Sequence, residues 1–588
     1  MTVLLDIKGL SVHFREQSAV DNLDLQITAG EMLALVGESG CGKSTTALSI
    51  MRLLPKQATI SGSILLDGTS VLHQSEKQLA AMRGNDISMI FQEPMTSLNP
   101  VLTIGQQVAE ALLLHKPLSR TQARERAIEL LDLVKLPNSS RRFNDYPHSL
   151  SGGQRQRVMI AIAIACQPRL LIADEPTTAL DVTIQAQILA LLDELRRELN
   201  MAVLLITHDL GIVAQWADRV AVMHNGRKLE EGVVEAVLNN PQHTYTQGLL
   251  RASLHMDQGQ HYRQSSLAEI RFSDKTGFTL SHPPLRASHR AAAQPDDSPI
   301  LSVENLTVTY DNDRDGVTAV NDVSLHIQAG ETLGLVGESG CGKSTLSRAI
   351  MQLEPVQNGK VLFNGQNLSS LSRKALLPWR KQIQMIFQDP YSSLNPRQRV
   401  DEILGYALSI HGIKDRQERE RRIVRILDDV GLPSTARSRY AHEFSGGQRQ
   451  RIGIARALVL RPQLVICDEP VSALDVSIQA QVLNLLVDLK TELGLTYLFI
   501  SHDLAVVRYI ADRVLVMNDG RIVEEGDHQR IWHQPQHPYT RTLLNAVPGN
   551  TNHRQPETRF GADKGKKDEG NAARGVLPSA SVVSSSLR

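Results

Sequence analysis

The sequence predicts an α/β fold that occurs twice in tandem, and two observations predict it. The segment Leu-Val-Gly-Glu-Ser-Gly-Cys-Gly-Lys-Ser-Thr stands at 35–45 and again at 335–345, and Ser-Gly-Gly-Gln-Arg-Gln-Arg stands at 151–157 and again at 445–451. In each copy, short uninterrupted apolar runs have the length and composition of central parallel strands. The long distance between the copies indicates a duplicated domain rather than a short solenoid repeat.

The composition is that of a folded chain and excludes some classes of protein. Of 588 residues, 41% are hydrophobic and 21% are charged, and 63 Lys and Arg balance 63 Asp and Glu. This zero net charge argues against a basic nucleic-acid-binding protein, because such proteins carry surplus cations that neutralise phosphates. No apolar run reaches about 18 residues, so no membrane-spanning helix is expected. The first residues lack the pattern of a secretory leader and the four cysteines are scattered, so we expect a cytosolic chain.

The two copies define the expected domain organisation. We expect a first domain at 1–255, a linker at 256–297, a second domain at 298–548 and a tail at 549–588. The linker and the tail lack sustained periodicity, and the linker is rich in Gln, Ser, His, Arg and Pro. This composition predicts a flexible connection and a disordered tail, with a docking segment as the alternative for either.

A glycine-rich loop follows the first apolar run of each copy. Gly37, Gly42, Lys43 and Ser44 have the spacing of a phosphate-binding loop, between a predicted strand and a predicted helix. Glycines let successive N–H groups converge on phosphate oxygens, and the positive end of the helix strengthens the field. The lysine would contact the β- and γ-phosphates, and the serine hydroxyl would coordinate Mg²⁺. The predicted nucleotide-contacting residues of the two loops are Gly37, Glu38, Ser39, Gly40, Cys41, Gly42, Lys43, Ser44 and Thr45, and Gly337, Glu338, Ser339, Gly340, Cys341, Gly342, Lys343, Ser344 and Thr345.

A pair of acidic residues ends a second apolar run in each copy. Asp174 and Glu175 follow the first of these runs, and Asp468 and Glu469 follow its repeat. Downstream of a phosphate-binding loop, such acids are typical of a nucleotide site. We expect Asp174 and Asp468 to hold Mg²⁺, and Glu175 and Glu469 to polarise the attacking water as general bases.

The repeated Ser-Gly-Gly-Gln-Arg-Gln-Arg segment resembles the signature motif of ABC-type ATPases. It opens a predicted helix and therefore presents a second positive helix end to an anion. The resemblance implies two tandem P-loop ABC nucleotide-binding domains, each with a RecA-like parallel-sheet core, a helical subdomain and an antiparallel β subdomain. It also implies that each signature binds the γ-phosphate of the ATP on the opposite domain. Ser445 and Gly447 would then complete site one, which contains Lys43, and Ser151 and Gly153 would complete site two.

The other motifs of this family occur in both copies. Two glutamines resemble the Q-loop residue that touches Mg²⁺ and water, and two Thr/Ser-Ala-Leu-Asp segments resemble the D-loop of the domain interface. Two histidines after apolar strands resemble the switch residue that senses the γ-phosphate. These positions are Gln92 and Gln388, 178–181 and 472–475, and His208 and His502. Phe14 and Tyr310 lie where the family has its adenine-stacking aromatic, with an ordinary strand aromatic as the alternative. The set predicts ATP hydrolysis at both sites.

Two further motifs resemble importers of oligopeptides, dipeptides, nickel and glutathione. The segments 91–100 and 387–396 follow the form of their Q-loop, and Pro-Gln-His-Pro-Tyr-Thr at 535–540 follows their C-terminal motif. The first copy has Thr244 in place of the second proline of this motif. Many members carry an iron–sulfur cluster on later cysteines, but no cysteine follows Cys467, so none is expected here.

This resemblance implies a peripheral subunit on the cytoplasmic face of the bacterial inner membrane that uses ATP and Mg²⁺. Its expected partners are two transmembrane permease subunits and an extracytoplasmic solute-binding protein, without nucleic acid, and its two cassettes are expected to pair within one chain. Peptides or glutathione are the expected cargo, with nickel as an alternative. A soluble tandem-cassette ATPase acting on ribosomes is the alternative from another class, and an exporter is the third.

Overall fold

The computed structural model describes residues 2–15, 17–178, 180–254, 256, 259–273, 277–284, 298–310, 316–472 and 474–548. The predicted tail lies outside these residues. We call 2–254 the first half and 298–548 the second half. The expected domain boundaries remain predictions.

The first half begins with strands and alternates strands with helices thereafter. Its strands are β1 (Val3–Phe14), β2 (Gln17–Thr28), β3 (Met32–Val36), β4 (Ala58–Leu66), β5 (Thr69–Ser70), β6 (Ile87–Ile90), β7 (Leu170–Asp174), β8 (Ala202–Thr207), β9 (Arg219–His224) and β10 (Arg227–Val233). Its helices are α1 (Lys43–Ile50), α2 (Glu76–Met82), α3 (Pro94–Ser97), α4 (Ile104–His115), α5 (Arg120–Leu133), α6 (Ser139–Arg142), α7 (Gly152–Ile164), α8 (Val182–Glu198), α9 (Leu210–Trp216), α10 (Val234–Asn239) and α11 (Thr244–Ala252).

A hairpin and the second half follow. The hairpin consists of β11 (Glu269–Ser273) and β12 (Gly277–Ser281). The strands of the second half are β13 (Leu301–Tyr310), β14 (Val317–Ile327), β15 (Thr332–Val336), β16 (Asn358–Phe363), β17 (Gln366–Asn367), β18 (Ile383–Ile386), β19 (Leu464–Asp468), β20 (Thr496–Ile500), β21 (Arg513–Asn518) and β22 (Arg521–Asp527). Its helices are α12 (Lys343–Ile350), α13 (Leu377–Gln382), α14 (Pro390–Ser393), α15 (Val400–Ile410), α16 (Arg416–Asp429), α17 (Gly446–Leu458), α18 (Val476–Leu493), α19 (Leu504–Ile510), α20 (His528–His533) and α21 (Pro538–Asn545).

The core sheet of each half is parallel except at one edge. Its order is β10-β9-β3-β8-β7-β6 in the first half and β22-β21-β15-β20-β19-β18 in the second, with the first pair in each antiparallel. Strands β3, β7 and β8 consist entirely of buried residues, which is why they appear in the sequence as apolar runs without alternation. Because parallel strands end at the same edge, the loops after β3, β6, β7 and β8 meet there.

Two further parts complete each half. In the first half, β2-β1-β4-β5 form an antiparallel sheet, and α4, α5 and α7 pack around an apolar cluster that also includes residues of α8 and of one face of the core sheet. The second half repeats this arrangement with β14-β13-β16-β17 and α15 to α17. The predicted α/β fold, with its parallel core, antiparallel subdomain and helical subdomain, is therefore confirmed.

Part of the segment predicted to be a linker is folded. β11 and β12 pair antiparallel, and Ile270 and Phe278 pack against an apolar cluster of the first half. Upstream, Leu267 is 1% exposed and belongs to the core of the second half. The Leu267 N–H donates to Asn484 Oδ1 at 3.0 Å, and Asn484 Nδ2 donates to Leu267 O at 3.0 Å. The segment thus packs against both halves, and its five-residue strands are too short to produce a clear period in the sequence.

Among the described helices, none combines the length and apolarity that crossing a membrane requires.

Candidate nucleotide-binding and catalytic site

The loop between β3 and α1 forms a cradle at the end of the core sheet. Gly42 is the N-cap of α1 with φ 104° and provides no side-chain cap, so the first turn of the helix can offer N–H groups to an anion. A Cβ on Gly37 would lie 2.2 Å from the main-chain oxygen of Met223, so only glycine fits there. Lys43, which is 5% exposed, donates from Nζ to Gly37 O at 2.7 Å and to Glu38 O at 2.9 Å. These contacts hold its charge at the loop, as phosphate binding requires.

The second half repeats this cradle. Gly342 caps α12 with φ 106° and without a side-chain hydrogen bond. Lys343 donates to Gly337 O at 2.8 Å and to Glu338 O at 2.7 Å. Both loops therefore have the geometry of a phosphate-binding site.

Oxygen ligands suited to Mg²⁺ lie beside each cradle. Ser44 Oγ donates to Asp174 Oδ1 at 3.2 Å, and Ser344 Oγ donates to Asp468 Oδ1 at 3.2 Å. Burial raises the pKa of both aspartates, although the serine hydrogen bond and the nearby P-loop lysine oppose this effect. A buried carboxylate next to a hydroxyl is a donor set that fits a hard divalent cation.

Glu175 lies at the end of β7 and is held by three side chains. Gln92 Nε2 and Thr178 Oγ1 both donate to Glu175 Oε2 at 2.9 Å, and His208 Nδ1 lies 3.3 Å from Oε1. Its backbone has φ 47°, a strained conformation for a residue other than glycine and one that is common at functional sites. The strand order explains the cluster, because Gln92, Glu175 and His208 follow the adjacent strands β6, β7 and β8.

The ionisation of this cluster follows from its contacts. Burial alone would raise the pKa of Glu175, but the hydrogen bonds from His208 and Thr178 and the charge of Lys43 lower it to about 2. Burial alone would lower the pKa of His208, but the bond to Glu175 raises it above its ordinary value. At neutral pH Glu175 is therefore an ionised carboxylate, and its contact favours the protonated form of the His208 imidazole.

The second half contains almost the same cluster. Gln388 Nε2 donates to Glu469 Oε2 at 2.8 Å, and His502 Nδ1 lies 3.1 Å from the same oxygen. Glu469 has φ 48°, and its pKa is lowered by the histidine despite burial. One contact differs, because Ser472 Oγ donates to the main-chain oxygen of Glu469 at 3.2 Å rather than to its carboxylate.

The two halves contact each other through these loops. The Ser39 N–H donates to Asp475 Oδ1 at 2.7 Å, and the Ser477 hydroxyl donates to the carboxylate of Glu38. In the other direction, Thr183 Oγ1 donates to Glu338 Oε1 at 2.5 Å. In both halves the helix after the D-loop thus reaches the phosphate-binding loop of the other half, and in the second half the D-loop residue Asp475 does so as well.

The signature segments lie beside these crossing helices. Ser151 caps α7 and Ser445 caps α17, each as part of a capping box. A Cβ on Gly447 would lie 2.4 Å from Ile478, which is the neighbour of Ser477 on α18. Among the described contacts, no hydrogen bond joins either signature serine to the opposite loop. The structure therefore places each signature segment beside the helix that reaches the opposite phosphate-binding loop. The signature serine itself makes no described hydrogen bond to that loop.

The candidate adenine-stacking residues differ in environment. Phe14 is half-buried and packs against the core of the first half. Tyr310 is 37% exposed, with its hydroxyl 3.4 Å from Thr345 Oγ1 at the start of α12. Tyr310 is the more accessible of the two.

The loop cysteines are buried. Cys41 is 3% exposed and Cys341 is 7% exposed, and burial raises the pKa of both thiols. Their sulfurs lie against Gly37 and Gly337, 2.8 Å from where a Cβ would stand on either glycine.

Sequence reasoning missed the contacts between the halves. Glu38 and Glu338 were predicted only as nucleotide-contacting residues of the loops, and Thr183 and Ser477 were not singled out. The available signal was that a hydroxyl-bearing residue occupies the second place after the D-loop aspartate in both copies.

Comparisons with known proteins show which family the chain resembles. The chain matches the model of the ABC transporter family at 20–178 and 320–472, and that of the oligopeptide/dipeptide transporter C-terminal region at 229–275 and 523–572. It is 48% identical over 570 residues to the glutathione import ATP-binding protein GsiA of Pectobacterium atrosepticum, covering 93% of this chain and 89% of that protein. The protein of the same name from Escherichia coli K12 is 48% identical over 568 residues, with the same coverage. Among solved structures, the ATP-binding cassette MJ0796 bound to ADP and Pi is 29% identical and covers 39% of this chain and 98% of that chain, with a TM-score of 0.36.

Proposed function

The chain belongs to the ABC transporter family of ATPases, and from this premise we propose that it powers the import of glutathione or a related small peptide through separate permease subunits. One observation carries the catalytic part of the proposal. In both halves, a strained glutamate at the end of a core strand is held by a glutamine and a histidine next to a phosphate-binding loop. Two complete clusters indicate that both sites hydrolyse ATP.

Each site combines residues of both halves. Site one uses the loop with Lys43 and Ser44 together with Asp174 and Glu175, and its signature partners are Ser445 and Gly447. Site two uses the equivalent loop of the second half with Ser151 and Gly153. The hydrogen bonds that cross between D-loop helices and loops support this pairing within one chain.

The mechanism uses positioning and charge neutralisation. The N–H groups of the first turn of α1 and the Lys43 ammonium bind the phosphates of ATP. When bound, Mg²⁺ supplies positive charge to the phosphate oxygens, held by Ser44, Asp174 and Gln92. Glu175, ionised at neutral pH, orients the attacking water and accepts its proton. His208 can donate a hydrogen bond to the γ-phosphate, and its raised pKa favours the protonated form that does so.

Exposed apolar side chains follow the Q-loop glutamine in both halves. Val101 and Leu114 are 75% and 73% exposed in the first half, and Tyr391 and Tyr406 are 62% and 64% exposed in the second. Such exposed apolar groups favour a protein partner. We propose that each patch binds one of two transmembrane permease subunits, at the cytoplasmic face of the bacterial inner membrane. An extracytoplasmic solute-binding protein would then deliver the cargo.

The name of the relatives favours glutathione within the predicted range of cargo. The match to the oligopeptide/dipeptide transporter C-terminal region in both halves favours an importer over a ribosome-associated ATPase or an exporter. Nickel import stays an alternative within the importer group.

Replacement of both catalytic glutamates tests the ATPase mechanism. The variant Glu175→Gln with Glu469→Gln should lose about 10²- to 10⁴-fold in turnover, because the general base is removed at each site. It should still bind ATP and stay closed, since glutamine preserves the shape of the side chain. Each single variant serves as the control for the other site. Full turnover in the double variant would contradict the assignment.

Reconstitution tests the cargo. The chain would be assembled in proteoliposomes with its permeases and binding protein, and ATP hydrolysis would be measured with glutathione, dipeptides or Ni²⁺. Stimulation by glutathione is expected. Stimulation by none of the peptides would refute the cargo proposal while leaving the ATPase intact.

A further inference from the structure

The Pro-Gln-His-x-Tyr-Thr motif has no part in the chemistry above, yet it lies directly behind the phosphate-binding loop. In the second half, Glu524 on β22 accepts the N–H of Gln536 at 2.7 Å and the N–H of His537 at 3.0 Å. His537 Nδ1 then accepts the N–H of Tyr539 at 3.2 Å and so caps α21. This chain of hydrogen bonds fixes the first turn of α21 on the core sheet and sets the position of Tyr539.

The hydroxyl of Tyr539 contacts the loop itself. The Glu338 N–H donates to Tyr539 Oη at 3.0 Å. The carbonyl oxygen of Glu338 accepts from Lys343 Nζ at 2.7 Å, and its carboxylate accepts from Thr183 of the first half at 2.5 Å. Glu338 therefore joins the C-terminal helix, the phosphate-binding lysine and the opposite half at one residue.

The first half has the same motif with a poorer last contact. Its hydrogen bonds match up to the tyrosine, because Glu230 accepts from Gln242 and His243, and His243 Nδ1 accepts the N–H of Tyr245 at 3.1 Å. The Tyr245 hydroxyl is buried and makes no well-formed hydrogen bond in the described part of the chain, although the Glu38 N–H is near enough to oppose the rise that burial causes in the pKa of Tyr245. Phe278 of the hairpin packs against its ring at 5.1 Å between centroids.

We propose that Tyr539 is a positioning residue for ATP site two. Its hydroxyl holds the Glu338 peptide, and through that peptide it holds the carbonyl that seats Lys343 and the carboxylate that binds Thr183. Tyr245 makes no well-formed hydrogen bond to the Glu38 peptide, so the two sites differ in how firmly their loops are held. This inference rests on the proposed binding of ATP at the two loops. Because the contact exists before ATP reacts, its loss weakens binding more than it slows the chemical step.

The test compares Tyr539→Phe with Tyr245→Phe in the full chain. Each variant would be labelled with 8-azido-ATP and Mg²⁺, and the labelled peptides would be assigned to one half or the other. In Tyr539→Phe, the concentration that half-labels the second half should rise about fivefold, as expected for one lost hydrogen bond. The first half of the same variant should change less than about twofold, as should both halves of Tyr245→Phe, whose hydroxyl makes no well-formed hydrogen bond. The KM for ATP should rise while kcat stays within about twofold.

Hydrogen exchange and a second variant keep the test decisive. Exchange at the Glu338 amide should accelerate in Tyr539→Phe, independently of any nucleotide. Thr183→Val, which acts on Glu338 without touching α21, should shift labelling of the second half in the same direction. The double variant should shift it by less than the product of the single shifts, because both act through Glu338.

The outcomes separate this inference from the proposed function. Labelling of neither half in the unaltered chain would refute ATP binding at the loops. Normal labelling with no selective shift of the second half in Tyr539→Phe would refute the positioning role alone, as would an equal shift in Tyr245→Phe.

Discussion

Replacing Asp475 with alanine is expected to release the phosphate-binding loop of the first half from the second half. The Asp475 carboxylate accepts the Ser39 N–H at 2.7 Å across the interface, and it makes no side-chain cap to its own helix α18. A hydrogen bond from a backbone N–H to a carboxylate contributes about 1.5 to 3 kcal/mol, and the exposure of this one favours the lower value. A loss of about 1.5 kcal/mol corresponds to about a tenfold change in the equilibrium that holds the contact.

Hydrogen exchange measured by mass spectrometry reports this contact directly. In Asp475→Ala, exchange at Ser39 should accelerate about tenfold in peptides that cover the first loop. Peptides that cover 337–345 should not change, because the loop of the second half contacts Thr183 instead.

The first half provides a matched control. Asp181 occupies the same place in its D-loop, but its Oδ1 accepts the N–H of Ile184 at 2.9 Å and so caps α8. Asp181→Ala should therefore cost about 1 kcal/mol of helix stability and accelerate exchange in the first turn of α8. Unchanged exchange at Ser39 in Asp475→Ala, or equal effects of the two variants on the two loops, would refute this reasoning.

Three further predictions follow from the site. Gly37→Ala should prevent the loop from folding and abolish ATP binding, because its Cβ would lie 2.2 Å from a carbonyl oxygen. Gly40→Ala should retain ATP binding, because its Cβ would have no atom within 4 Å. Equal thermal unfolding midpoints of the two variants would contradict this prediction. Cys41 should react slowly with N-ethylmaleimide, because burial raises the pKa of its thiol. Rapid modification of Cys41 in the native chain, detected by mass spectrometry, would contradict this prediction. His208→Gln should destabilise the fold most between about pH 4.5 and 6.5. The contribution of Glu175 to the free energy of unfolding is lost as the pH falls from 4.5 towards 2, and the contribution of His208 is lost as the pH rises through its raised pKa. The measurement is the urea unfolding midpoint as a function of pH. A difference between the variant and the unaltered chain that is equal at all pH values would exclude the ion pair as the cause.

Much of the fold and of each site could be predicted because the relevant signals are local. β3, β7 and β8 are buried on both faces, so their sequences are apolar runs, and the motifs follow at the ends of these strands. The motif pattern therefore located Lys43 and Glu175, and the resemblance to the ABC family indicated His208. The pairing of β11 with β12 escaped prediction because its pattern is short and its partners lie far along the chain in both halves.

The sequence by itself determined the duplicated α/β fold, the two phosphate-binding loops and the residue types of the two catalytic clusters, because each depends on neighbours along the chain. Only the tertiary structure decided how near-identical motifs are used. Asp475 crosses to the other half while Asp181 caps its own helix, and Tyr539 accepts a well-formed hydrogen bond from its loop while Tyr245 does not. The physical reason is that these contacts depend on how the halves and the hairpin pack together, and the hairpin packs its aromatic rings against the first half.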